Sequence, residues 1–349
     1  ILKKLNLANI ALAKLNGLVV SIPNYEILLQ PLTVREAVAS SGIENIFTTT
    51  LEVLQAELLG EKQSNPAEKE TLHYKQALLF GYQSVKAKEF LATNQIIEMQ
   101  EILVPEKPGI RKIPGTAVVN AQTKEVVHQP PQHETEIRNL LKNMDEYCNA
   151  QSGDTDPLIK MAVLHHQFET IHPFYDGNGR TGRILMVLYL VLTERLNYPV
   201  LFLSGYLLKN RQEYYRLLQE VRKTRDWRNW VLYILDMVQT QSQKTCDTIQ
   251  SILSLMEQYK VLIKKKLPQL YSLELVMALF SHAFHNQVEF AKSFVIRSHR
   301  SFTLENVNFN RSLIVRSGRK DFRFTSWNRG ISGNHWSCDS AEGFNSKTQ

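Results

Sequence analysis

The run from Arg180 to Arg195, RTGRILMVLYLVLTER, constrains the fold more than any other stretch of the chain. Its apolar residues sit almost all the way round a helical projection, so a helix here has no face fit for water and must be wrapped by other elements. The strongly apolar part, Ile184 to Leu192, falls far short of the roughly 20 residues that cross a bilayer. Its burial therefore has to come from protein. A mainly α chain follows, a helical bundle with this segment near its centre.

The wrapping is legible on both sides. From Leu2 to about Glu101 the pattern is helical, with capping signals in LTVREAV, where Thr33 and Glu36 form a capping box that starts a short helix, and in SNPAEKE, where Ser64 or Asn65 caps and Pro66 occupies the first turn. Between Pro105 and Pro131 the texture changes to β-branched pairs, TAVVNAQTKEVVH, which reads as a β-hairpin. Helical spacing resumes near His133, and in DTDPLIKMAVLHHQF Asp156 before Pro157 marks a start, with Leu158, Met161, Ala162, His165 and Phe168 on one face. His165 belongs to that core stripe. Helix continues through RQEYYRLLQEVRKTRDWRNWVLYILDMV to Lys266, and Pro268 breaks it. The chain thus divides into an N-terminal helical region over 1–104, a core over 105–245, C-terminal helices over 246–292 and a tail over 293–349 in which neither period survives.

Charge and cysteines narrow the setting. The 349 residues carry a net charge of +7, but Ser293 to Gln349 holds nine Lys/Arg against four Asp/Glu, so the basic character is concentrated in the tail. A basic tail is more often a solvated surface than a DNA-binding face. Cys148, Cys246 and Cys338 form neither a CxxC pair nor a disulfide framework, and no export signal is visible from Ile1 onward, so a cytoplasmic protein without a membrane span is expected.

The chemistry concentrates in HPFYDGNGRTGR, residues 172–183. A loop of small residues there opens a helix whose first amides lack partners, and such a terminus attracts phosphate while glycines let oxygens approach the backbone. Arg180 and Arg183, three apart, lie on one side of the first turn and suit a polyphosphate. Asp176 is placed to hold Mg²⁺ against phosphate oxygens. His172, at the end of the preceding helix, can take a proton near neutral pH.

This stretch resembles the Fic (filamentation induced by cAMP) family signature, His-x-Phe-x-(Asp/Glu)-Gly-Asn-Gly-Arg-x-x-Arg, with His172, Phe174, Asp176, Gly177, Asn178, Gly179, Arg180 and Arg183 matching every fixed position. LHHQFETIHPF before it and EYYRLLQEVR after it are also similar to the family, over roughly residues 30 to 290. The resemblance implies a Fic-type helical bundle with a β-hairpin flap and a protein adenylyltransferase that moves AMP from ATP to a hydroxyl on a target protein. His172 would be the base and Asp176 the magnesium ligand. Gly177, Asn178 and Gly179 would cradle the α-phosphate, Arg180 and Arg183 would hold the outgoing phosphates, Tyr214 would line the adenine pocket, and Phe174 would pack inward. Thr116, Ala117, Val118 and Val119, running on to Asn120, would dock the target by strand addition.

A second motif, SSGIEN, resembles the family's inhibitory sequence (Ser/Thr)-x-x-x-Glu-(Gly/Asn) through Ser40, Glu44 and Asn45. It implies a helix near 33–46 whose Glu44 pairs bidentately with Arg183 and takes the place of a γ-phosphate. Removal of AMP, or another phosphoryl-type transfer, is an alternative on the same fold. LPQLYSLELVMALF from Leu267 resembles the opening helix of a winged-helix module, which would make DNA a partner and the chain a regulator, and a homodimer is a further assembly of such chains. Glu70-x-x-His73 and Glu169-x-x-His172 also have the spacing of carboxylate-bridged di-iron bundles.

Overall fold

A computed structural model describes residues 1–22, 24–59, 64–119, 125–150, 155–266, 268–269, 271–281, 312–317, 320–326 and 336–340. The chain divides into two compact units, Ile1–Leu262 and Ile263–Gln349. In the first, helices α1 (Leu2–Val20), α2 (Glu26–Ile43), α3 (Thr50–Leu59), α4 (Pro66–Lys88) and α5 (Thr93–Leu103) precede a two-stranded ribbon of β1 (Val118–Val119) and β2 (Val126–His128). Then come α6 (Glu134–Asn149), α7 (Pro157–Ile171), α8 (Asn178–Leu192), α9 (Ser204–Lys209), α10 (Arg211–Thr224) and the long α11 (Arg228–Lys266), which runs past the unit's last residue, Leu262.

Helix α8 is the apolar run, and it lies where its composition requires: Ile184 through Val191 are all buried, with α2, α4, α5 and α7 packed around it. Gly81 in α4 is the contact that lets α4 approach. A Cβ there would stand 2.5 Å from a Leu188 methyl and 2.4 Å from the Met99 sulfur. The caps expected for α4 and α7 form. Asn65 Oδ1 accepts from the Glu68 amide at 3.0 Å while Glu68 accepts from the Asn65 amide at 2.9 Å, and Asp156 accepts from the Leu158 amide at 2.8 Å.

The expected start of a helix at Thr33 is corrected. Helix α2 begins at Glu26 and runs through Pro31, with the Thr33 hydroxyl turned back to donate to Leu29 O at 2.6 Å rather than capping anything. Glu36 is drawn into the core instead, where it accepts from the Ser204 amide at 3.0 Å, from the Ser204 hydroxyl and from the Tyr74 hydroxyl at 3.2 Å.

The hairpin falls where the β-branched pairs predict it. Strands β1 and β2 are antiparallel, Val118 opposite His128 and Val119 opposite Val126, with a bulge between Val118 and Val119. Asn120, the last residue of the expected docking edge, lies outside the described residues.

The second unit holds α12 (Leu273–Ser281) and an antiparallel sheet in the order β3 (Ser312–Ser317), β4 (Lys320–Ser326), β5 (Trp336–Ser340). The tail is therefore not without regular structure, as its mixed composition suggested. Residues 282–311, where a recognition helix would fall, are outside the described residues, and a winged helix is not among the elements seen. Among the described residues no helix is long and apolar enough to cross a membrane.

Candidate active site

Helix α7 ends where His172 adopts a left-handed conformation (φ 48°), and its amide closes the last turn onto Phe168 O at 2.9 Å. Histidine tolerates that region better than bulky or branched residues do. The chain then turns through Pro173 to Gly177, whose φ of +81° and whose 2.8 Å gap from a built Cβ to a Val104 methyl exclude other residues, and enters α8 at Asn178. Phe174 is fully buried beside Phe168 and fixes the loop from below.

Asn178 does something other than expected. Its side chain accepts from the Phe174 amide at 2.9 Å and donates to Phe174 O at 2.8 Å, so the carboxamide is tied into the loop and only its backbone is left for an anion. The cause is local, because a buried loop must satisfy its own amides.

The two arginines diverge. Arg180 donates to Glu70 Oε2 at 2.9 Å and lies 3.5 Å from Asp176 Oδ1. Arg183, 1% exposed, turns towards the end of α2, where its Nε donates to Ser40 Oγ at 2.7 Å and its Nη2 to Ser40 O at 3.0 Å and Glu44 Oε1 at 2.8 Å. The guanidinium fork is thus shared between a hydroxyl and a carboxylate rather than closed on the carboxylate alone. Glu44 is the C-cap of α2, followed by Asn45 in the left-handed region, and its Oε1 stands only 2.4 Å from where a Cβ on Gly179 would be. Burial pulls Arg183 down and the Glu44 carboxylate pulls it further up, leaving it firmly cationic.

Burial, then the nearby Arg111, Arg222 and His128, hold the His172 imidazole at about 4, while Glu44 pulls the other way. The ring is neutral at physiological pH and its Nδ1 is buried with no hydrogen-bond partner. Asp176, its side chain 45% exposed, lies 3.4 Å from Lys107 Nζ and accepts from the Gly177 amide at 2.6 Å.

Tyr214, the residue expected at an adenine pocket, packs inward. It is buried in the core with its hydroxyl 2.9 Å from His165 Nε2. His165 Nδ1 faces Gly182 O at 3.2 Å, and since that carbonyl can only accept, Nδ1 carries the proton and Tyr214 donates to Nε2. His165 is thus the core residue its spacing predicts, held at about 3 by burial and Arg183. Its neighbour Tyr215, 40% exposed with Arg211 over its ring at 5.7 Å, is the tyrosine at the surface.

The carboxylate-bridged metal reading fails here. Glu70 pairs with Arg180, and among the described residues no group of three or more His, Cys, Asp or Glu could hold a metal ion.

Glu169, read from the sequence only as part of a di-iron spacing, and Arg111, Arg222 and Tyr175, not singled out at all, crowd the same loop. Glu169, on α7, is pushed up to about 7 by burial and by Glu44, against Arg183 and Arg222. Arg111 and Arg222 reach the end of α7, and Tyr175 accepts from the Lys112 and Ile113 amides at 2.9 and 3.0 Å, fastening the segment before β1 to the loop. A glutamate three residues ahead of a loop histidine was visible in FETIHPF, whereas Arg111 carries no local signal.

The site thus lies where the central helix of an α-helical bundle opens on a glycine turn, with a neutral imidazole on one side and a carboxylate-capped arginine on the other. The profile of the Fic/DOC family N-terminal region matches residues 2–83 and that of the Fic/DOC family matches residues 90–190. The chain belongs to the Fic/DOC family. It is 27% identical over 212 residues to Protein adenylyltransferase Fic of Drosophila mojavensis, covering 60% of this chain and 39% of that protein, and 34% identical over 99 residues to Protein adenylyltransferase fic-1 of Caenorhabditis elegans, covering 28% and 18%. The chain spans about two fifths, or less, of the length of the curated relatives it matches. Among solved structures, a Fic family protein from Desulfovibrio desulfuricans superposes with a TM-score of 0.54 at 19% identity over 69% of this chain and 74% of that one. C. elegans Fic-1 superposes at 0.55 and 20% identity over 70% and 72%. These likenesses show the fold. Residues 275–349 match a different family, described as NAD-specific glutamate dehydrogenase, and contribute none of the residues above.

Proposed function

We propose that the chain is a protein adenylyltransferase that moves AMP from ATP to a hydroxyl side chain of a target protein, and that Glu44 holds it idle. The observation that carries this reading is the carboxylate of Glu44 seated against Gly179 and Arg183, an anion lodged in the glycine turn beside a neutral imidazole. The names of the curated relatives support the same chemistry.

In the transfer, His172 takes the proton of the attacking hydroxyl. The hydroxyl oxygen bonds to the α-phosphorus, the bond from that phosphorus to the bridging oxygen breaks, and pyrophosphate leaves with the electron pair. The α8 amides and Arg180 receive the phosphate charge, and Arg183 joins them once Glu44 withdraws. Asp176, a partly exposed hard-oxygen donor beside the cradle, fits a Mg²⁺ ion, which when bound would neutralise phosphate charge. Thr116 to Val119 offer the outer edge of β1 to an extended target segment.

The experiment is incubation with α-labelled or γ-labelled ATP and a lysate, using the chain and its Glu44→Gly variant. Label transferred from the α position alone supports the proposal. Label from the γ position would make the chain a phosphotransferase, and release of AMP from an already modified protein would make the reverse reaction its task.

A further inference from the structure

The end of α7 is unusual in how its orphaned carbonyls are met. The last carbonyls of a helix have no partner within it and normally face water. Here Arg222 Nη2, from α10, donates to Glu169 O at 2.8 Å. His128 Nε2, from β2, meets Thr170 O at 2.8 Å. Arg111 Nη2 donates to Ile171 O at 3.4 Å, and Arg111 Nε to His172 O at 2.8 Å. Four successive carbonyls are thus capped by three basic side chains, from α10, from β2 and from the segment between α5 and β1.

Arg111 dominates this clamp. It is 1% exposed, its Nη2 also reaches Pro131 O on the far side of the hairpin, and its own amide donates to Pro173 O at 3.0 Å. Next to it Ile110 and Phe174 form an antiparallel bridge. His172 has no side-chain hydrogen bond through Nδ1 to orient it, so the place of its ring is set by its backbone. That backbone is in a left-handed conformation that must be held from outside.

We propose that Arg111 is a positioning residue for His172, gripping its carbonyl from the base of the hairpin so that the segment offered to the target and the residue that takes the target's proton are fixed to one another. The inference rests on the adenylyltransferase reading for its consequence but not for its geometry. Arg111 also faces the imidazole electrostatically, alongside Arg222 and His128, with Glu44 as the opposing charge. Cations at a helix C-terminus are favoured by its dipole, which explains why Arg111 and Arg222 can gather there, while burial holds His128 below its ordinary value so that it joins them as a neutral ring.

The test compares Arg111→Met and Arg111→Lys in the full chain carrying Glu44→Gly, with self-labelling from α-labelled ATP as the activity and NMR titration of the histidine ring as a readout independent of it. Arg111→Met should slow labelling on the order of a hundredfold, the scale of a misplacement of about 1 Å, with little change in KM for ATP. It should also raise the His172 titration midpoint and the acid limb of the rate profile, because a neighbouring cation is gone. Arg111→Lys keeps the charge but not the fork, so it should slow labelling while leaving the midpoint in place. An unchanged rate in Arg111→Met overturns the proposal whether or not the midpoint moves. If that variant does not fold, an unchanged rate in Arg111→Lys overturns it. If the Glu44→Gly parent labels nothing, the adenylyltransferase reading falls, and the midpoint alone then decides the clamp, supported if it moves in Arg111→Met and overturned if it does not.

Discussion

Two helix ends meet at the glycine turn, and they are built differently. The C-terminus of α7 carries His172 with its final carbonyls capped by Arg222, His128 and Arg111 and its loop stapled by Asn178. The C-terminus of α2 carries Glu44, a side chain 34% exposed, joined to the site through Arg183 and followed by the exposed Asn45. One end is capped on four successive carbonyls, while at the other, past a buried last turn, the partly exposed Glu44 carboxylate meets the buried Arg183 through one ion pair. Under the proposed transfer, in which a base stays put and a carboxylate leaves, that asymmetry is what physical chemistry asks for: strain at His172 needs a rigid surround, while Glu44 would exchange with phosphate.

The largest expected effect tests the rigid end. His172→Ala in the Glu44→Gly background should lower α-label transfer by roughly 10²–10⁴-fold, the usual contribution of a general base, with ATP affinity and melting temperature unchanged. A labelling rate that survives the change would show that the base lies elsewhere and that the capped helix end serves only the fold.

Next is a pH effect that runs between the two ends. The Glu169 carboxyl stands at about 7 against a reference of 4.5, raised by burial and by Glu44. An acid whose folded value lies above its unfolded one binds more protons folded than unfolded, so its contribution to stability falls as pH rises from about 4.5 to about 7. At roughly 1.4 kcal/mol per unit the fall is about 3 kcal/mol. Denaturant melts at pH 5 and pH 7.5 cover most of that fall, so wild type should lose about 2 kcal/mol relative to Glu169→Gln, which has no proton to release. Parallel behaviour of the two proteins would mean that Glu169 is not buried as a lone carboxyl.

Glu44→Gly probes the loose end. It should raise self-labelling and target labelling about tenfold or more, each ~1.4 kcal/mol of broken contact being a factor of ten. Arg183→Ala should not mimic it, because that change also removes a phosphate ligand, and the double variant should behave like Arg183→Ala alone. Wild type already as active as Glu44→Gly would remove the functional meaning of the asymmetry.

The capped end and the loose end were unequally legible in the sequence. The α7–turn–α8 passage could be read because helical spacing, Asp156 and three glycines each point to the same local structure. The contact of Glu44 with Arg183 came from family resemblance, since no local rule joins residues 139 positions apart. Thr33 and Glu36 have capping spacing, yet Glu36 is claimed by Ser204, 168 residues away, and tertiary burial outweighs a local cap. Tyr214 and Tyr215 are about 100° apart on a helix, and spacing cannot say which one meets the core. The tie between Asn178 and Phe174 has no sequence signal, because only the folded loop shows that the Phe174 amide needs a partner. The strands beyond Ser312 hid for another reason: DFRFTS alternates, but the runs are too short for a period to stand out.

The smallest expected effect asks whether the loose end has a second latch. Arg211 Nη1 donates to Asn45 Oδ1 at 2.9 Å while its guanidinium lies over Tyr215, so one residue touches both the end of α2 and the exposed ring beside the site. The hydrogen bond is at the surface, where a net contribution near the low end of about 0.5–1.5 kcal/mol is expected. Arg211→Ala should therefore raise self-labelling only about two- to threefold at saturating ATP. Saturation matters, because it separates any effect on ATP affinity from one on the brake. Added to Glu44→Gly, the change should give no further gain, since a latch on α2 has nothing to hold once its carboxylate is gone. A rise as large as that of Glu44→Gly would relocate the brake from the buried arginine to the surface one. A gain on top of Glu44→Gly would show that Arg211 acts on the nucleotide rather than on the helix end.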